Sequence, residues 1–171
     1  MSRRLRWVLL CAAGVLAAGG LTWWLWPSPS PAPEPLARQY LDVNACLLTD
    51  DQGVAGSAAT PVWAGMQDAS VASRVRVQFL PVSGAQTTDN ALTFLASLAQ
   101  SRCGLVFAAG DLPVAAVIQG AQRFPGVRFV VVGHRTGAAN VSTVDASGPA
   151  EIRSAVRGLV AALAPASPGT G

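Results

Sequence analysis

GLVFAAG at Gly104–Gly110 and VRFVVVG at Val127–Gly133 decide the fold. Each is a continuous apolar run of strand length closed by glycine. That is the pattern of a β-strand buried on both faces, and such strands belong to parallel sheets covered by helices. Working outward, Pro113–Phe124 joins the two runs as a helix. Upstream, VNACLLT at Val43–Thr49 is a third apolar strand, ending in the turn Asp50-Asp51-Gln52-Gly53. Thr60-Pro61 reads as a helix start with threonine as cap, the helix running to about Ala69. Thr88–Ser101 spaces Leu92, Leu95, Ala96 and Leu98 at helical intervals, with Thr88 or Asp89 as cap. Asn140–Ala146 is a shorter strand and Pro149–Leu163 a final amphipathic helix. RVRVQFLPV at Arg74–Val82 alternates polar and apolar and carries Pro81 near its end, so it belongs at an edge. The expectation is an α/β fold, a doubly wound parallel sheet of about five strands with helices on both faces. With Arg74–Val82 at the edge, the strand order is 2-1-3-4-5.

The N-terminus has a different character. Trp7–Trp26 carries no charge, follows Arg3, Arg4 and Arg6, and ends in Trp23, Trp24 and Trp26. A bilayer core needs about 20 apolar residues at helical rise. Arginines on the near side place residues 1–6 in the cytoplasm and the rest outside. The reading is a transmembrane signal anchor over 7–26. The alternative is a cleaved signal peptide, with Ala17–Gly20 as the small-residue site, which would leave an apolar LTWWLW stub exposed. Residues 27–36 alternate proline with small residues, a polyproline-II spacer. Residues 37–164 are expected to form the folded lobe and 165–171 a disordered tail. The localisation implied is the cell membrane, single-pass, with the folded part extracytoplasmic.

Charge narrows function by exclusion. All twelve basic residues are arginine. Without lysine, Schiff-base and P-loop chemistry are ruled out. Residues 37–171 hold nine arginines against eight carboxylates, net +1, so no basic face points to nucleic acid. Cys46 and Cys103, beyond the anchor, sit on adjacent strands in this order. They are either one bridge or two buried thiols.

Ligands of open parallel sheets bind beyond the carboxyl ends of the strands. Those ends carry Asp50, Asp51 and Gly53, then Gly84, then Gly110 and Asp111, then Gly133 and His134. Asp50, Asp51 and Asp111 match the acid placement of a phosphoacceptor receiver domain, but that chemistry needs a lysine. His134, the only histidine, has no companions for a zinc site and no GxSxG nucleophile to serve. It reads as a loop residue. No catalytic set, metal or cofactor is expected. Trp63 is a core or crevice-wall residue, and Trp63, Phe107 and Asp111 are the candidates to face a ligand. Asn140-Val141-Ser142 matches a glycosylation sequon.

Five segments resemble, in order, the basic membrane protein family, the substrate-binding proteins of ABC transporters that include purine nucleoside receptors. They are ACLLTDD–G at Ala45–Gly53, WAGM at Trp63–Met66, CGLVFAAGDL at Cys103–Leu112, FPGVRFVVVG at Phe124–Gly133 and NVSTVDASGPAEIRSAVRGLVAAL at Asn140–Leu163. The resemblance implies one lobe of a type I periplasmic binding fold, a nucleoside-type ligand at Asp50, and an ABC permease as partner. Asp51, Trp63 and Asp111 complete the expected ligand-binding set, and a second copy of the chain is the other expected partner. Related members carry both cysteines, which implies a Cys46–Cys103 bridge. Asp50 retains the family's acid, but its stacking aromatic falls on Ala58 or Ala59 and its second acid on Gly133. A missing base stack costs ~1–3 kcal/mol, so ligand binding is expected to be weakened or lost. In the latter case the domain is a surface interaction module with a vestigial site.

Overall fold

The computed structural model describes residues 39–134, 137–145 and 147–165. The expected cytoplasmic segment 1–6, anchor 7–26 and spacer 27–36 lie outside the described residues, as do 166–171 of the expected tail. Among the described residues no helix is long and apolar enough to cross a membrane. The fold occupies the second of two contact-defined units, Arg38–Gly171.

Five strands form one parallel sheet: β1 (Asn44–Thr49), β2 (Arg76–Pro81), β3 (Cys103–Ala108), β4 (Arg128–Val132) and β5 (Val141–Val144). Their order is β2-β1-β3-β4-β5, with every pair parallel. The order expected from the alternation is the one observed. β1 and β3 are buried over nearly their whole length, because helices cover both faces. On one face α2 (Thr88–Gln100) contributes Ala91, Leu95 and Leu98, and α3 (Asp111–Gly120) contributes Val114, Ala116 and Val117. They pack on Leu48, Val106, Phe129 and Val131. On the other face α1 (Ala59–Ser73) and α4 (Pro149–Ala161) set Val62, Met66, Ile152 and Val156 on Leu47, Leu105, Phe107 and Val130. α1 and α4 meet at Gly65, where an added Cβ would collide with the Arg153 carbonyl oxygen and stand 3.0 Å from Val156 Cβ.

Several element ends differ from expectation for physical reasons. α1 begins at Ala59 after a 3₁₀ turn, Gly53–Ala55. The amides of Ala59 and Thr60 donate to the Gly56 carbonyl, so Thr60 is not needed as a cap. Its hydroxyl instead donates to the carbonyls of Gly56 (2.9 Å) and Val54 (3.1 Å). The helix continues four residues past Ala69 and closes on Arg74, whose φ of 62° is left-handed. β2 therefore starts two residues after Arg74. α2 is capped by Thr87 rather than Thr88 or Asp89, the Thr87 hydroxyl accepting from the Asn90 amide. α3 opens at Asp111, two residues before Pro113, and passes at Ala121 into a 3₁₀ turn.

Cys46 and Cys103 are disulfide-bonded, with Cα atoms 5.9 Å apart. Strand alternation alone would not bring them together. Leu105 and Phe107 face α1 and α4, so strict alternation would turn Cys103 to that side and away from Cys46. The register shifts between Asn44, opposite Cys103, and Ala45, opposite Leu105. Gly104 is the extra residue, and this bulge rotates Cys103 onto the α2–α3 face beside Cys46. The Gln78 amide nitrogen, 3.2 Å and 3.4 Å from the two sulfurs, covers the bridge from β2.

Candidate ligand cleft

The crossover from β1 turns to β2 on one side, while β3, β4 and β5 extend to the other. The crevice between the carboxyl ends of β1 and β3 is therefore the switch point where ligands of such sheets bind. Asp50 leaves β1 there. Its Oδ1 accepts from the Gln52 amide at 3.0 Å, holding the carboxylate inward while the chain turns at Gly53. Across the crevice, a Cβ on Gly110 would stand 3.4 Å from Asp50 Oδ2. Gly110 has a φ of 95°, so glycine suits both the turn and the close approach.

Beside this contact opens a cleft of about 400 Å³. Its walls include Pro61 of α1, Gly110 and Asp111 at the start of α3, Gly133 and His134 after β4, and Pro149 of α4. Three helices thus begin at the cleft, and none carries a side-chain cap. First-turn amides lack partners within their own helix, so the start of α3 and of α4 presents backbone donors. Asp111 and the His134 ring add polar side chains. His134 is exposed, and its Nδ1 lies 3.2 Å from the Val132 carbonyl. That contact is satisfied when Nδ1 carries the proton. Below the cleft Arg153 forks onto Asp68, with Nε–Oδ2 at 2.6 Å and Nη2–Oδ1 at 2.8 Å. The bidentate hydrogen bond holds the Asp68 carboxyl below its ordinary range and raises Arg153, tying α1 to α4.

Of the residues singled out in the sequence, Asp50 and Asp111 come together around Gly110. Asp51 is exposed in the turn next to Asp50. Trp63 does not line the cleft: it is half-buried on α1, edge-on to Phe79 of β2 with centroids 5.2 Å apart at 69°. Phe107 is fully buried in the core. The described lining therefore holds no Phe, Tyr or Trp. Among the described residues no group of three or more His, Cys, Asp or Glu could hold a metal. The sequence reading missed Pro61, Gly148 and Pro149 as cleft walls. Their signal was available, since Pro61 lies in the first turn of α1 and Gly148 and Pro149 begin α4, two helix starts at the same sheet edge. Asn140, read as a sequon residue, has its amide fully engaged. Nδ2 donates among the carbonyls of Ala121 (2.9 Å), Phe124 (3.2 Å) and Val127 (3.2 Å), so it is a structural clamp under the α3–β4 connection.

The fold and cleft define an open, doubly wound parallel α/β domain with a polar crevice at its carboxyl edge. No family model matches the chain, and no curated protein matches it in sequence. Among solved structures, the fragment described as "putative lipoprotein" from Peptoclostridium difficile 630 superposes with a TM-score of 0.59 at 11% identity. That match covers 70% of this chain and 97% of the other, a likeness of fold. An ABC transporter solute-binding protein from Aeropyrum pernix K1 gives a TM-score of 0.48 at 21% identity, covering 58% of this chain and 27% of that one. The 5-methylthioribose transporter solute-binding protein from Thermotoga lettingae TMO gives 0.46 at 14%, covering 69% and 46%. The chain thus spans less than half the length of either solute-binding protein.

Proposed function

We propose that this chain is a non-enzymatic solute-recognition lobe, held outside the cytoplasmic membrane by residues 7–26, that takes a small polar molecule at the carboxyl edge of its sheet. The observation that carries the reading is the cleft at the switch point, lined by Gly110 and Asp111, with the Asp50 carboxylate close behind Gly110. Carboxylates there suit ligands rich in hydroxyl or amine donors, and the helix starts suit their acceptors. The resemblance to the basic membrane protein family names a nucleoside as the class, with an ABC permease as the downstream partner. Recognition on this reading is weak, because the described cleft lining holds no Phe, Tyr or Trp for a base to stack on.

That same lack of a Phe, Tyr or Trp in the described lining favours a second reading, a tethered interaction module with a vestigial site. Calorimetry on the full chain in detergent, titrated with adenosine, guanosine and inosine, separates the two. Binding tighter than about 100 μM that Asp50→Asn abolishes without altering the circular dichroism supports solute recognition. No heat at millimolar nucleoside leaves the interaction module.

A further inference from the structure

We infer that the free edge of β2 is a docking surface for a second copy of this chain, joined antiparallel about a two-fold axis at Gln78. β2 pairs only with β1 among the described residues. The Arg76 amide donates to Val43 and the Val82 amide to Thr49. Alternation then turns the amides of Gln78 and Leu80 inward, and those of Val77 and Phe79 to the open edge. Pro81, next on that edge, has no amide to offer.

The open edge therefore holds two donors per chain, spaced two residues apart, and this arrangement is self-complementary. In an antiparallel pair centred on Gln78, Val77 of one copy faces Phe79 of the other and the two exchange both backbone bonds. The symmetric partner does the same, which satisfies all four open amides and leaves Pro81 outside the ladder. An isologous contact of this kind closes on itself and stops at two copies.

The side chains at this edge are the ones such a contact needs. Val77 and Phe79 lie on the α1 side of the sheet, so the pairing makes two β-branched–aromatic cross-strand contacts. Three of the five large apolar side chains exposed among the described residues flank this edge: Tyr40 (46%), Val71 (66%) and Phe79 (42%). Tyr40 shares a shallow recess with Ser70, Arg76 and Val77, and Val71 adjoins Ser70 on α1. With ~200 Å² for a whole aromatic side chain, they expose roughly 300 Å² of apolar surface per copy. With the strand edge included, that suits an interface near the small end of the specific range, about 1,200 Å² in total, and hence a concentration-dependent dimer. Arg76 faces Leu80 of the other copy, so the like charges at the edge are not opposed. The antiparallel arrangement points the two clefts in opposite directions, so the contact is independent of the ligand site and does not rebuild it.

Sedimentation equilibrium of the full chain in detergent, over about a hundredfold range of concentration, tests the surface. A monomer–dimer equilibrium is expected. Phe79→Asp and Val71→Asp should each weaken it about tenfold or more, while Ile118→Asp, on α3, leaves it unchanged. Val71 is exposed on α1, so its variant keeps the test clear of folding defects at Phe79. In a Cys11→Ser background, chains carrying Val77→Cys should cross-link to chains carrying Phe79→Cys, because directly opposed residues lie within disulfide reach. Neither variant alone should cross-link comparably. A chain that stays monomeric, a dimer indifferent to both aspartates, or cross-links as strong within one variant as between the two overturns the assignment.

Discussion

Two glycine-to-alanine substitutions on the paired helices α1 and α4 should act in opposite directions. Each gains helix propensity, about 1 kcal/mol for alanine over glycine in a helix interior. At Gly158, on the exposed face of α4, an added Cβ meets nothing within 4 Å, so most of that gain is kept. At Gly65 the same methyl runs into the Arg153 carbonyl oxygen and stands 3.0 Å from Val156 Cβ. Backbone and a β-branched Cβ cannot swing aside as a flexible side-chain tip does. The helices must move apart, at the ~1–3 kcal/mol typical of overpacking, with the carbonyl contact pushing toward the upper end. The separation also loosens Val62 and Met66 against Val156 and strains the Asp68–Arg153 fork. The net expectation is a loss of about 1–2 kcal/mol for Gly65→Ala and a gain of up to ~1 kcal/mol for Gly158→Ala. In a domain of this size these are melting shifts of roughly 4–8 °C down and up to about 4 °C up. Urea titrations followed by circular dichroism measure both. A Gly65→Ala chain as stable as the parent would refute the close approach of α1 and α4.

Three further outcomes follow from other parts of the fold. Asn140→Asp replaces the donor that serves three carbonyls with a carboxylate facing them. It should cost roughly 2–4 kcal/mol in urea unfolding, more than the ~1–3 kcal/mol of leaving buried acceptors unpaired. Replacing Cys46 and Cys103 together by alanine opens a link across 57 residues, for which the chain-entropy relation gives about 4 kcal/mol. The loss should appear as a lower urea midpoint and be matched by reductant on the parent chain. The Arg153 fork lowers the Asp68 carboxyl. The stability it supplies is therefore present above the ordinary carboxylate value and lost as pH falls through the lower folded value. Arg153→Gln should flatten that acid limb in melts recorded from neutral pH to below pH ~4, while leaving unfolding near neutrality two-state.

The sheet order was legible because its signals are local. Three apolar runs and one alternating, proline-bearing run are enough to rank strands as central or edge. The disulfide was legible as a possibility but not as geometry. Whether Cys103 faces Cys46 depends on one unpaired residue, Gly104, and a bulge leaves no periodic mark in six residues. The helix start at Ala59 was displaced because a 3₁₀ turn had already satisfied the amides that Thr60 was expected to cap. Trp63 was a candidate crevice wall by position in the chain. The structure sets it on Phe79, since α1 lies over β2 as well as over β1 and an indole at its outer margin gains more from an aromatic neighbour than from water. Asn140 shows the limit of motif reading: the three-residue match is silent about the carbonyls of Ala121, Phe124 and Val127, which come from a segment more than ten residues earlier. The position of Asp50 at the end of the first strand was legible because it follows from the fold itself. The cleft near it went unread because, although each helix start was visible, their meeting at one edge joins segments that are remote in the chain.

The exposed stretch Ser83–Thr87 between β2 and α2 is the kind of loop a protease cuts first. It lies inside the span closed by Cys46 and Cys103, so a single cut there leaves both pieces covalently joined. The piece carrying β1, α1 and β2 stays laced to β3 by the parallel ladder as well as by the bridge. A nicked chain would run as two bands only after reduction. The molecule is thus arranged so that damage at this exposed loop changes its connectivity without setting either half adrift.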